Sequence, residues 1–372
     1  MKTSAAVGPI VAAMILTGGG VTAQHVVPDG ATCPRCSIET RIIASFGEAA
    51  GVAALPGTPS HVGVDAKGRY WVVFRRYPVM VFDSDGRFLR SVGTMGEGPG
   101  EFVRPWRAAA AGDYMVISEQ RGRVTVFDLD FEYVRSFQLS LQIRDIALLG
   151  WPDHLLVNAG HPSPDGIRFP LHLVDLTEAP PVVSLSFGPD PQGELRDYPQ
   201  RLRLGFPDGP TVWSADRLRY RINKWNTAGQ LLTTFVRQPS WFPGLSTGGP
   251  GRADTPPDPE IAGVTTDTTE QVWVFARVPR RNWRQVWVDF AKRFGAIPSG
   301  AREVPVGVTP RPWDLLSTVI EVIDPIQGRV IVRDEIDQYV LSVLPGAHAV
   351  IYTEPEPGFS PTLEVRALTY RR

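Results

Sequence analysis

One unit recurs along this sequence at a spacing of 45–51 residues. Its sharpest copy is Val79-Met80-Val81-Phe82-Asp83-Ser84-Asp85-Gly86-Arg87-Phe88-Leu89-Arg90-Ser91-Val92-Gly93. A second begins Val124-Thr125-Val126-Phe127-Asp128 and runs to Phe137, and weaker copies centre on Asp175, Asn226 and Asp324. Each reads as a short strand, a turn opened by Asp or Asn, and a return strand. Asp and Asn suit that corner because their side chains bond the backbone locally, and Gly supplies the positive φ. Asp83 and Asp128 are 45 residues apart, Asp128 and Asp175 are 47, and Asp175 and Asn226 are 51. The 98 residues from Asn226 to Asp324 fit one period plus an insertion.

A further strand pair precedes each hairpin. It is clearest in Val62-Gly63-Val64-Asp65, the Lys67-Gly68 turn and Tyr70-Trp71-Val72-Val73-Phe74. Four strands in about 45 residues is the signature of a β-propeller blade. The 36 Gly and 35 Pro agree, since so many turn-formers suit short strands better than a helical bundle. The expected fold is therefore all-β, a six-bladed β-propeller with four antiparallel strands per blade. The blades are placed at about 61–93, 108–139, 143–188, 201–238, 260–334 and 338–370. The sixth has only three strands at the C-terminus, and residues 39–47 are expected to supply its outer strand and close the ring.

The run from Asp83 to Gly93, followed by Gly96-Glu97-Gly98-Pro99-Gly100-Glu101-Phe102, resembles the repeat of bacterial six-bladed propellers of the NHL-like and TolB-like kind. The resemblance is specific over about 61–138 and continues as a weaker periodicity to the C-terminus. It implies a six-bladed ring in an exported bacterial protein. It implies no single activity, because that group includes protein-binding modules, lyases and lactonases, and fold does not fix function.

The N-terminus reads as an address. Met1-Lys2 is basic, Ala5 to Leu16 is apolar, and Val21-Thr22-Ala23 ends the segment. Residues 1–23 are expected to be a signal peptide, leaving 24–372 as a periplasmic or extracellular propeller. No later stretch is long and apolar enough for a membrane helix. The two cysteines, Cys33 and Cys36, most simply form a local disulfide in such a compartment. A redox pair or a metal site are the alternatives, although no thioredoxin-like helix pattern follows and no second ligand pair has zinc spacing; covalent haem would need a His where Ser37 stands.

A site is expected on the face shared by the second-to-third strand loops and the connectors between blades, because loops on a rigid scaffold carry binding. Arg75, Arg76, Tyr77, Arg107, Arg121, Arg123, Arg219 and Tyr220 are the candidate ligand-binding residues there. Arginine suits planar recognition of carboxylate, sulfate or phosphate, and aromatic rings stack on sugars or side chains. Against this, lysine occurs only at 2, 67, 224 and 292, so 34 of the 38 basic residues are arginine wherever they fall.

The insertion in blade five, about 278–317, contains a helical spacing of apolar residues from Trp283 to Phe294 with Asn282 ahead of it. It reads as a helix laid on the propeller, or as a lid or partner-binding helix.

No G-x-S-x-G, H-E-x-x-H or Walker loop occurs, and no catalytic residue is assigned. The leading expectation is a monomeric binding or scaffold propeller for a protein, peptide or glycan. The net charge of −1 gives no reason to expect nucleic acid. The alternative is a metal-dependent, lactonase-like hydrolase or lyase at the channel mouth. The starts of the inner strands there offer His61, Arg107, Asp145, Arg203, Glu260 and Gln338, a mixed ring too cationic to be an obvious hard-metal cage. No cofactor is expected outside that alternative, which would need a divalent metal.

Overall fold

A computed structural model describes residues 23–47, 51–160, 169–188, 202–244, 255–294, 310–354 and 360–371. Blade one comprises His61–Val64, Tyr70–Phe74, Tyr77–Phe82 and Phe88–Val92. Blade two comprises Pro105–Ala111, Tyr114–Glu119, Arg123–Asp128 and Tyr133–Gln138. Blade three is Gln142–Ala147, His154–Gly160, Leu171–Asp175 and Val182–Phe187. Blade four is Leu202–Asp208, Thr211–Asp216, Arg221–Asn226 and Leu231–Val236. Blade five is Glu260–Thr266, Val272–Pro279, Leu316–Asp324 and Arg329–Ile336. Blade six is Tyr339–Leu344, His348–Thr353 and Thr362–Arg371, with Ser37–Phe46 as its outer strand. The first strands of successive blades lie side by side, and that of blade six meets that of blade one. The chain is a six-bladed β-propeller.

The period-2 pattern of each strand explains how the blades stack. Tyr70, Val72 and Phe74 enter the cluster shared with blade six, while Trp71 and Val73 enter the one shared with blade two. In blade five, Val272, Val274 and Ala276 face blade four, and Trp273 and Phe275 face blade six. Because both faces of every sheet are covered, strands such as Tyr70–Phe74 are apolar at every position. Among the described residues the buried apolar side chains form one cluster at each blade interface.

The recurring Asp and Asn do what the repeat required of them. Asp83 Oδ1 accepts from the N–H groups of Asp85 and Arg87 at 3.0 and 2.8 Å. Asp128 and Asn226 repeat the arrangement. The Asp83 motif is therefore a turn closed by its own side chain. Gly86 has φ +90°, and a Cβ there would lie 2.3 Å from the Ser45 carbonyl of the neighbouring blade. A second device was less visible. Asp65 and Asp267 each accept a bond from an indole Nε1 six residues on, Trp71 at 2.9 Å and Trp273 at 2.8 Å, tying the turn to the core.

The N-terminal segment does more than close the ring. Ala23–Val26 adds a parallel fifth strand to the outer edge of blade four. The chain then crosses blade five, where Thr32 and Cys33 donate to the carbonyls of Val330 and Ile331. It finally pairs with Thr362–Arg371 in a register running from Ser37↔Arg371 to Phe46↔Leu363. A disulfide joins Cys33 and Cys36 where this strap turns into blade six. The leader expected over 1–23 lies outside the described residues except for Ala23.

The insertion leaves blade five between its second and third strands, as expected, but these strands reach Pro279 and back to Leu316, so it spans 280–315. Its helix α1 is Trp283–Phe294, a short α2 is Pro312–Leu315, and residues 295–309 lie outside the described part. Trp287 and Leu315 are buried in the cluster between blades six and one, with Trp283 and Val286 packed against it. The apolar stripe of α1 thus lies on the propeller.

Candidate functional site at the channel mouth and loop face

In every blade the inner strand starts, and the second strand ends, on the same face of the ring. That topology gathers the predicted loops there. Arg75, Arg76, Tyr77, Arg121 and Arg219 are exposed on it. The Arg75 guanidinium lies 4.3 Å from the centroid of the Trp106 ring, which also carries Arg107 at 5.1 Å. The other candidates are engaged within the fold. Arg123 donates to the carbonyls of Glu97 and Gly98, holding the blade one–two connector. Glu119 accepts from the N–H groups of Val103 and Arg104 in that connector.

The candidate ring Tyr220 is only 3% exposed, and its hydroxyl donates to Glu321 at 2.5 Å. Arg237 Nη1 binds the same Glu321 oxygen at 2.5 Å, and its Nη2 reaches Asp29 of the strap at 2.8 Å. Burial pushes the Glu321 carboxyl up despite Arg237, and pushes the Tyr220 hydroxyl up as well. Tyr220 is therefore the wall of a cleft rather than its contact surface. The cleft, about 640 Å³, opens between the Arg219–Arg221 loop and the Val236–Gly244 connector and includes Gln238 and Phe242.

At the axis the inner-strand starts converge. Arg107 Nε lies 3.3 Å from Asp145 Oδ1, and Arg107 Nη1 donates to the Ser60 carbonyl at 3.1 Å. The other Asp145 oxygen accepts from the Leu204 N–H of blade four. Glu260 is held between Arg277, at 2.5 Å, and Arg217. Arg277 also donates to the carbonyls of Val340 and Leu341 and lies over the Tyr339 ring. Arg217 and Arg277 were not singled out from the sequence. Arg217 follows the end of a strand and Arg277 sits inside one, so only their position in the ring marks them.

The field here is positive. Burial pushes the Glu260 carboxyl up, but Arg277, Arg217 and Arg203 outweigh it and bring it down to about 2. Burial and the charges of Arg107 and Arg203 hold His61 well below its usual range, and its Nδ1 accepts from the Ala108 N–H. Because the folded value for Glu260 lies below the ordinary 4.5, its stabilisation is complete above about pH 4.5 and is lost as pH falls through about 2. This amounts to about 3 kcal/mol. Glu260→Gln is therefore expected to lower stability at pH 7 by about that much, with the gap to wild type closing toward pH 2. Denaturant titrations across that range test it, and parallel pH profiles would refute it.

Comparisons with known proteins agree on the architecture. Residues 59–150 match a family described as a 6-bladed beta-propeller. A solved structure described as a "Putative exported protein" from Bacteroides fragilis superposes with a TM-score of 0.54 at 11% identity, covering 95% of this chain and 99% of that one. The WD40 domain of Neurospora crassa Pan2 gives 0.47 at 10% identity, covering 88% and 80%. Hydrazine synthase of Kuenenia stuttgartiensis gives 0.44 at 12%, covering 80% and 76%. No curated protein sequence matches significantly. At 11% identity the likeness to the Bacteroides fragilis structure is one of fold alone.

Proposed function

We propose that this chain is an exported binding or scaffold propeller that recognises a protein, peptide or glycan on its loop face, in the periplasm or outside the cell. The observation that carries this reading is the cleft of about 640 Å³ between the Arg219–Arg221 loop and the following connector. It combines cationic and amide side chains with aromatic walls braced from below by the Tyr220–Glu321–Arg237 bonds. A rigid wall with polar groups at its rim is the usual composition of a recognition site. Export is supported by the leader-like residues 1–23 and by the Cys33–Cys36 disulfide, a bond that persists in oxidising compartments. No helix among the described residues is long and apolar enough to cross a membrane.

The charge set at the axis weighs against the metal-dependent alternative. Among the described residues no three His, Cys, Asp or Glu side chains gather as ligands. Asp145 and Glu260 are already engaged by guanidinium groups.

One preparation tests the proposal. The protein is expressed with residues 1–23 intact, recovered from the periplasm, and screened against peptide and glycan panels. The expected result is an N-terminus at Gln24 and a ligand whose affinity falls at least about ten-fold in Arg219→Ala and Gln238→Ala. A retained Met1, or hits unaffected by both substitutions, would overturn it.

A further inference from the structure

The four guanidinium groups at the channel mouth are not equivalent. Arg277 is fully used by Glu260, two carbonyls and the Tyr339 ring. Arg107 is shared between Asp145 and the Ser60 carbonyl, and Arg217 lies on Glu260. The side chain of Arg203, on the inner strand of blade four, makes no hydrogen bond and no ion pair among the described residues. Arg203 precedes Leu204, whose N–H donates at 3.2 Å to Asp145, the carboxylate that also holds Arg107, and it pairs in register with Ala215, two residues before Arg217. That backbone placement sets Arg203 among the same inner-strand starts.

Among the described residues, four arginines stand against two carboxylates at this mouth, two positive charges in excess. Placing an unpaired, partly buried guanidinium beside like charges is unfavourable unless something answers it. Arg203 carries the mark of that placement, since burial and then Arg107 and Arg217 bring it down to about 9. The mouth is open to solute: Arg203 is only half-buried, and the Arg217 side chain is 39% exposed. The planar fork of arginine matches two oxygens of a carboxylate, phosphate or sulfate.

We propose that the channel mouth is an oxyanion site in which Arg203, flanked by Arg107 and Arg217, takes up the carboxylate, phosphate or sulfate group of a small ligand. The site does not depend on what docks on the loop face. It also explains why a divalent cation is a poor fit at the same place, because the field that attracts an oxyanion repels a metal ion.

The test uses the mature chain in chloride buffer at constant ionic strength, with inorganic phosphate, sulfate, acetate or succinate exchanged for chloride. The expected result is one saturable site by calorimetry and a melting temperature raised by about 3 °C or more at 50 mM of the preferred anion. Phosphate or sulfate binding alone marks an inorganic oxyanion as the ligand chemistry; acetate or succinate binding marks an organic carboxylate. Arg203→Gln should weaken binding at least about ten-fold and, without the anion, melt above wild type because like-charge repulsion is relieved. Should that variant not fold, Arg217→Gln serves in its place, with a weakening of at least about three-fold expected. Arg76→Gln and Arg121→Gln, on the loop face, should bind as wild type, which separates this site from the loop-face reading. Wild-type protein indifferent to all four anions, or equal binding by Arg203→Gln, would overturn the proposal.

Discussion

A chain lacking residues 24–47 is expected to lose the cooperative melting of the intact ring. The deletion strips the fifth strand from blade four, the crossing of blade five and the outer strand of blade six. It also exposes the full edge of Thr362–Arg371, an unpaired strand of the kind that promotes aggregation. Val27, Ile38 and Phe46 leave three different blade interfaces. At about 1.5–3 kcal/mol for each buried large apolar side chain, their loss alone approaches the typical total stability of about 5–15 kcal/mol. Calorimetry of the mature and deleted chains tests this, and an unchanged cooperative transition would refute closure by the strap. A shorter deletion of 24–36 keeps the outer strand of blade six and should lower the melting temperature without abolishing cooperativity.

Arg237→Ala is expected to destabilise the propeller by about 3–5 kcal/mol, because it leaves the Glu321 carboxylate buried and without its cation. Both side chains are only 1% exposed, so water does not replace the lost partner. The same change releases Asp29, and so couples the interface between blades four and five to the strap. Replacing both members, as Arg237→Met with Glu321→Met, should recover much of the loss, since removing a buried pair together avoids the orphaned charge. Denaturant unfolding with an unchanged slope reads the difference. An Arg237→Ala protein within 1 kcal/mol of wild type would refute the assignment.

The fold was legible because its rule is local and repeats. Each Asp-opened turn is written in four or five consecutive residues, and the near-constant spacing turns single weak hairpins into a blade count. The closing strand could be found because three C-terminal strands leave a place for a fourth. The fifth strand Ala23–Val26 was not legible, because four residues of edge pairing leave no pattern of their own. The site divides the same way. Topology alone gathers Arg75, Arg76, Arg121 and Arg219 on one face. The inward turn of Tyr220 and Arg123 was not legible, because a loop position does not reveal whether a long side chain points outward or back into the fold.

By itself, the sequence determined the number of blades, the position of the turns and the pairing of the two ends, since each follows from residues close together or from a period. Only the tertiary structure decided which arginines have partners. Arg107, Arg203, Arg217 and Arg277 come from three blades and lie up to 170 residues apart. Nothing local distinguishes the three that are engaged from Arg203, whose side chain has no partner among the described residues. What separates them is which carboxylates and carbonyls the closed ring brings within reach, and that is settled only when all six blades meet at the axis.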